Sequence, residues 1–266
     1  MELKALLASE FVLPSVPKVV ALLLSELKRN EPDLKKITQL ISTDPALTTR
    51  LLQTANLDVY RLSGKIACVS ESLAILSLSQ VRAMAEAATG TSFKALPGIK
   101  LQQFWAYSVN VAKLSRSLAG VVRENQQAAY TCGLIHAVGE LVLHSGMPTE
   151  VAALEREVAP LALLRASAEV RSFGFCYAQV GAGMARQWQF PQSIVDALEH
   201  QCAPFENDVY EPLAGVIHLA SWRVRAKEAG LSDKALADTF PGSVGELLGL
   251  DIDMVLQQDP IDWLGG

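Results

Sequence analysis

Apolar side chains recur along this chain at intervals of three and four residues almost from end to end. Phe104, Ser108, Val111, Ser115, Leu118 and Val122 share one helical face, and Leu47, Leu51 and Ala55 share another. Such spacing brings side chains into line on a helix of 3.6 residues per turn. No run alternates apolar and polar residues between hairpin turns, so strands are not expected. Helix starts are marked by chemistry as well as by period. Asp44-Pro45 puts a capping carboxylate before a proline whose missing N–H costs nothing at a first helical position. Glu31-Pro32-Asp33, Phe190-Pro191 and Glu211-Pro212 punctuate in related ways, and Ser243 with Glu246 fits a reciprocal capping pair. These signals predict helices near 15–29, 33–42, 45–56, 70–76, 79–89, 101–122, 127–144, 161–172, 175–188, 192–202 and 212–229.

Two breaks divide the series. Ala95-Leu96-Pro97-Gly98 separates shorter helices from longer ones, and Ala229-Gly230 closes the longer set. Beyond it, Leu247, Leu248, Leu250, Val255, Leu256, Trp263 and Leu264 give a tail enough apolar area to dock. Composition adds bounds. Half of the 266 residues are apolar and 19% are charged, which suits a large core and excludes a disordered chain. A net charge of −5 argues against coating nucleic acid, because neutralising phosphates needs a basic surface. Cysteines at 68, 132, 176 and 202 are too dispersed for a disulfide framework. The longest apolar runs, such as 19–24, fall short of the ~20 residues that cross a bilayer. Met1-Glu2-Leu3-Lys4 opens no export signal, so a cytoplasmic protein is expected. Neither a phosphate-binding Gly-x-x-x-x-Gly-Lys-Ser/Thr loop nor a Gly-x-Ser-x-Gly elbow is present. Gly181-Ala182-Gly183 falls within a predicted helix, where small residues permit close packing. Trp222-Arg223-Val224-Arg225 mixes aromatic and basic side chains, a weak nucleic-acid signal on an acidic chain.

Several ordered stretches resemble one family. Leu13-Pro14-Ser15-Val16-Pro17, then Ile41-Ser42-Thr43-Asp44-Pro45-Ala46-Leu47-Thr48-Thr49-Arg50-Leu51-Leu52 and Ala55-Asn56, resemble the N-terminal half of the HDOD family, the HD-related output domain of bacterial signal transduction. Val69-Ser70-Glu71-Ser72-Leu73-Ala74-Ile75-Leu76, within Ile66 to Arg82, looks like the next block. Phe104-Trp105-Ala106-Tyr107-Ser108, Gly133-Leu134-Ile135-His136-Ala137-Val138-Gly139, Ala178-Gln179-Val180-Gly181-Ala182 and Trp188-Gln189-Phe190-Pro191 are similar to the HD-like half. The likeness runs from about 12 to 225. It implies an all-α, multi-helical HDOD fold, with an N-terminal helical subdomain packed on a degenerate HD-phosphohydrolase-like helical subdomain. The domain is expected over 12–208, with halves 12–97 and 98–208, helices continuing to about 230 and a helical C-terminal tail over 231–266.

Catalytic HD proteins hold divalent metals with histidines and aspartates, which polarise a phosphate and activate water. The resemblance places that site at Tyr107, His136, Ala137, Tyr177, His200 and Ser221. Tyr107 stands at the first histidine position, and His136-Ala137 stands for the tandem His-Asp. Tyr177 and the His200-Gln201 neighbourhood fall where further histidines occur, Ser221 falls at the later aspartate, and Glu140 replaces a common lysine. Too few ligands remain to fix metal geometry, so neither catalysis nor a cofactor is expected. A soft zinc site from Cys132, His136, Cys176, His200 and Cys202 is the alternative, against buried apolar thiols and a hydrogen-bonded histidine. Tyr107 and Tyr177 either line a nucleotide-accepting pocket or fill the vacated volume and bond His136. Arg50, Asn56 and Tyr60 offer a partner-recognition patch, or Asn56 ends a helix through its tolerance of left-handed backbone. Leu57 and Arg61 replace the small residue and glycine usual there in the family.

The expectation is a non-catalytic scaffold of signal transduction that contacts signalling proteins, without nucleic acid or membrane, with a homodimer as a further state. The alternatives are a metal-dependent phosphohydrolase acting on a nucleotide through a rebuilt site, and a sensor that holds a nucleotide in the vestigial pocket.

Overall fold

Caps and prolines set the helix starts where the sequence marks them. The computed structural model describes residues 1–11, 13–60, 64–91, 96, 98–206 and 210–260. The first helices are α1 (Leu3–Leu7), α2 (Pro17–Leu27), α3 (Leu34–Ile41), α4 (Pro45–Ala55), α5 (Val69–Ile75) and α6 (Leu78–Thr89). Then come α7 (Leu101–Val121), α8 (Gln126–Ile135), α9 (Val138–Gly146), α10 (Pro148–Leu154), α11 (Arg165–Phe173), α12 (Tyr177–Gln187), α13 (Gln192–His200) and α14 (Pro212–Glu228). Three short helices close the chain: α15 (Asp233–Thr239), α16 (Gly242–Leu248) and α17 (Ile252–Gln257). The fold is all-α, with no strand among the described residues. Arg61, Ala95, Pro97, Trp263 and Leu264, with the domain edges at 12, 97 and 208, lie outside the described residues.

Asp44 accepts from the backbone N–H of Leu47 at 2.9 Å and of Val16 at 2.6 Å, fastening the segment before α2 to the start of α4. Burial pushes its carboxyl up to about 6, against the pull of those N–H groups. Helix α4 is buried except along the face of Arg50, Gln53 and Thr54. Leu47, Leu51 and Ala55 join one apolar cluster with α2, α3, α5 and α6, while Ala46 and Leu52 join the larger cluster built on α7 to α14. Its buried Thr48 and Thr49 satisfy their hydroxyls on the Ile41 and Pro45 carbonyls. Truncating Leu51 or Leu52 to alanine would cost ~2–5 kcal/mol. Arg50 bonds Ser15, the Leu13 carbonyl and Thr91, tying three segments together. Tyr60 accepts from the Gln80 side chain.

Several expectations need correction. The helix read over 127–144 is two helices, broken between Ile135 and Val138. Ser243 and Glu246 form no capping pair, because α16 starts at Gly242 after Pro241. Asn56 ends α4 at φ −92°, so no left-handed backbone is used. Its amide instead donates to the Leu52 and Ile66 carbonyls at 3.0 Å and accepts from Ile66 N–H at 3.2 Å. Helices α1 and α10 have no counterpart among the predicted elements. Helix α1 lays Leu7 against Gly183 and Leu6 against Gly146, where a Cβ would fall 2.5 and 2.3 Å from those side chains.

The tail packs on the body. Leu236, Val244, Leu250 and Val255 enter the larger core, Ser117 donates to Gln258 at 3.0 Å, and Arg223 meets Asp259 at 3.1 Å.

Candidate functional site

The break between α8 and α9 builds the site. Gly133 lets α8 press on α7, since a Cβ there would stand 2.8 Å from Ala112 Cα. Gly139 does the same for α9 and α12, since its Cβ would stand 2.0 Å from the Tyr177 carbonyl oxygen. The four helices thereby converge on His136. Its Nδ1 lies 2.7 Å from the Gly133 carbonyl, so that nitrogen carries the hydrogen and Nε2 is the acceptor. The Tyr107 hydroxyl, 2.9 Å away, donates to Nε2 and accepts from Nε of Arg225, also at 2.9 Å. A second arm of Arg225 donates to the Tyr177 hydroxyl at 3.0 Å. The guanidinium carbon stands 5.6 Å from the Tyr107 ring centre and 5.5 Å from that of Tyr177, close enough for cation–π attraction to both.

Arg225 is the residue that sequence reading missed. It sits one turn after Ser221 on α14 and is buried, and in the sequence it stands out only as part of the basic-aromatic run 222–225. Neither arginine of that run builds an exposed basic patch, because Arg223 is bonded to Asp259. Burial opposes the charge on Arg225, but the Tyr107 and Tyr177 oxygens that accept from it more than offset that, so the guanidinium stays protonated. The same cation, after burial, depresses His136, pushing it down to about 3, so its imidazole is neutral.

Tyr107, His136 and Tyr177 therefore meet through Arg225, and Ala137 lines the same space. Ser221 turns its hydroxyl back to the His218 carbonyl at 3.0 Å. His200 stands elsewhere, its imidazole within 4.8 Å of the Asp196 and Glu199 carboxylates. Its neighbour Gln201 reaches the cluster instead, donating to the His136 carbonyl at 3.0 Å. The five-donor zinc alternative is corrected by the geometry. Among the described residues, Cys132, His136, Cys176, His200 and Cys202 do not gather, and both ring nitrogens of His136 are already bonded.

Two cavities meet at Arg225. One, of about 220 Å³, is walled by Phe104, Tyr107, Ala137, Glu140 and Leu161. The other, of about 670 Å³, is walled by Cys176, Tyr177, Cys202, Ser221 and Trp222. Behind the first lies a buried charge group. Arg165 donates to Glu169 at 2.7 Å and lies 3.5 Å from Glu140, and Glu169 accepts from the Tyr177 N–H at 2.8 Å. Burial, with Glu169 alongside, raises the Glu140 carboxyl above its usual range against the pull of Arg165 and Arg225, and Glu140 faces the smaller cavity. A fixed guanidinium between two neutral phenols suits an anion or a neutral polar group. It does not suit a divalent cation, which needs anionic oxygens or free imidazoles.

The family model for the HDOD domain matches residues 13–204. Among solved structures, the MmoQ response regulator from Methylococcus capsulatus superposes with a TM-score of 0.74 at 23% identity, over 94% of this chain and 98% of that one. A Shewanella amazonensis protein with a provisional phosphohydrolase name superposes with a TM-score of 0.53 at 26% identity, over 92% of this chain and 90% of that one. An uncharacterized protein from Treponema pallidum is 24% identical over 222 residues, which are 80% of this chain and 42% of that protein. This chain thus spans under half the length of that relative.

Proposed function

Because the chain belongs to the HDOD family, we propose that it is a non-catalytic module of signal transduction whose output is contact with other signalling proteins. The observation that carries this reading is the Arg225 guanidinium between Tyr107 and Tyr177, with His136 behind. The resemblance puts the HD metals at these side chains, and here they surround a permanent cation. A divalent ion about 4 Å from it would meet roughly 8 kcal/mol of repulsion at an effective dielectric near 20. Ala137 supplies no carboxylate to offset that, and burial disfavours the charged form of Glu140. The site then acts as a polar core that holds α7, α8, α12 and α14 in register. Leu164 and Val170 leave apolar side chains 68% and 47% exposed beside the larger cavity, a surface suited to a partner. Among the described residues no helix is long and apolar enough to cross a membrane.

Metal analysis of the purified protein, with hydrolysis assays on nucleoside phosphates and cyclic dinucleotides, tests the reading. No stoichiometric metal and no turnover are expected. Stoichiometric Mn, Fe or Zn that is lost in His136→Ala would overturn it. The cavities on either side of Arg225 favour a second reading, a sensor of a small anionic ligand such as a nucleotide. A thermal-shift screen with nucleotides and cyclic dinucleotides separates the two, since the scaffold alone gives no shift.

A further inference from the structure

The wall of the larger cavity carries two thiols that the polar cluster does not use. Cys176 is the N-cap of α12, and its sulfur accepts from the Gln179 N–H. Cys202 follows α13, is partly exposed, and lies with its sulfur 3.6 Å from the Tyr177 hydroxyl. Both side chains line the same cavity, and each thiol is the largest influence on the acidity of the other. We propose that Cys176 and Cys202 are a peroxide-responsive dithiol, with Cys176 the attacking sulfur and Cys202 the resolving one, reached by small hydroperoxides through the 670 Å³ cavity.

The two sulfurs divide the roles by environment. The Cys202 thiol, then the backbone N–H groups of Gln179 and Ala178, pull Cys176 down to about 7, against burial. A thiolate therefore forms there near neutral pH. Cys176, then burial, hold Cys202 protonated while Cys176 carries the charge. Oxidation of Cys176 removes that charge and frees Cys202 to ionise. In the first step the Cys176 thiolate attacks one peroxide oxygen, the O–O bond breaks, and hydroxide leaves, giving a sulfenic acid. In the second, Cys202 sulfur attacks Cys176 sulfur, its proton joins the departing hydroxide, and water leaves. Overall, two thiols and one hydrogen peroxide give one disulfide and two waters. Cys68 and Cys132 are buried away from the cavity. The disulfide would also draw Cys202 from the Tyr177 hydroxyl, whose other bond is to Arg225. The proposal stands whether or not the Arg225 cluster binds a ligand or metal.

The test exposes the reduced full chain to equimolar hydrogen peroxide and follows intact mass and tryptic peptides. The expected product is two hydrogens lighter, cross-linked within one chain between Cys176 and Cys202, with Cys68 and Cys132 still alkylatable, and reversed by dithiothreitol. Cys202→Ser should stop one oxygen heavier, with dimedone captured on Cys176. Cys176→Ser should consume peroxide at least ~10-fold more slowly, since the thiolate is the nucleophile. A wild-type chain that gains oxygen on other residues, links between chains, or keeps four free thiols overturns the proposal. Because the cross-link is read on the wild type, a variant that misfolds does not alter that outcome.

Discussion

Tyr107→Phe tests the polar cluster with the smallest change. It deletes one oxygen and keeps the ring, so cavity effects are slight. It strands two buried groups, Nε2 of His136 and Nε of Arg225, each 2.9 Å from the lost hydroxyl. A buried neutral group left unpaired costs ~1–3 kcal/mol and a charged one more. Arg225 keeps its bond to Tyr177 at 3.0 Å and a longer one to the Ala162 carbonyl at 3.4 Å, which limits its share. Phenylalanine no longer has a hydroxyl to dehydrate, an offset of ~1–2 kcal/mol. The net loss should be about 2–4 kcal/mol, large against a total of ~5–15 kcal/mol for a domain. Tyr177→Phe strands only one arm of Arg225 and a 3.6 Å thiol contact, so about 1–2 kcal/mol should go. Urea titrations followed by circular dichroism, with an unchanged slope, give both numbers. The argument fails if Tyr107→Phe costs under ~1 kcal/mol, or if Tyr177→Phe costs more than Tyr107→Phe.

Asn56→Ala should cost about 2–4 kcal/mol, because it leaves both backbone groups of buried Ile66 without their side-chain partner; a loss within error in the same titration would refute the clamp. Glu26 is held at about 2, below its ordinary 4.5, first by the Lys36 ammonium at 2.7 Å and then by the Asp33 N–H and Arg29. Its stabilisation is full above pH 4.5 and is lost as pH falls towards 2. Glu26→Gln should therefore flatten the stability curve in that window, and an identical acid limb in both proteins would show that Glu26 is not paired in solution. A chain ending at Phe240 loses Val244, Leu250 and Val255 from the core along with the Gln258 and Asp259 contacts. It should melt several degrees lower or change its elution volume, and no change in either would mean that the tail does not dock.

Where the apolar stripe covered one face, periodicity and caps were enough to read the helix. Asp44-Pro45 and Glu211-Pro212 cap as expected, and α5, α6 and α7 begin within a residue of their predicted starts. The pattern fails where a helix is apolar all round. From Gly133 to Gly139 there is no proline and no polar face, so nothing local shows that the chain turns after Ile135; the turn is set by α7 and α12 pressing on the two glycines. Helix α14 is the same case, buried around most of its surface, so the period cannot say which way Arg225 points. A charged residue in such a helix is informative for that reason. Few arginines are buried without a carboxylate bonded to them, and Arg225 is bonded to two phenols and a carbonyl. It shares a helical face with Ser221 at i+4, so the resemblance that placed Ser221 at a ligand position carried a pointer to it. Once Ser221 and Ala137 are read as lost anions, a cation one turn away is the complementary change: it restores positive charge to a space lined by oxygen atoms. On the proposed scaffold reading the tyrosines and Arg225 act as one coupled set, and changing any one of them alone to a histidine or aspartate should destabilise the fold without creating a metal site.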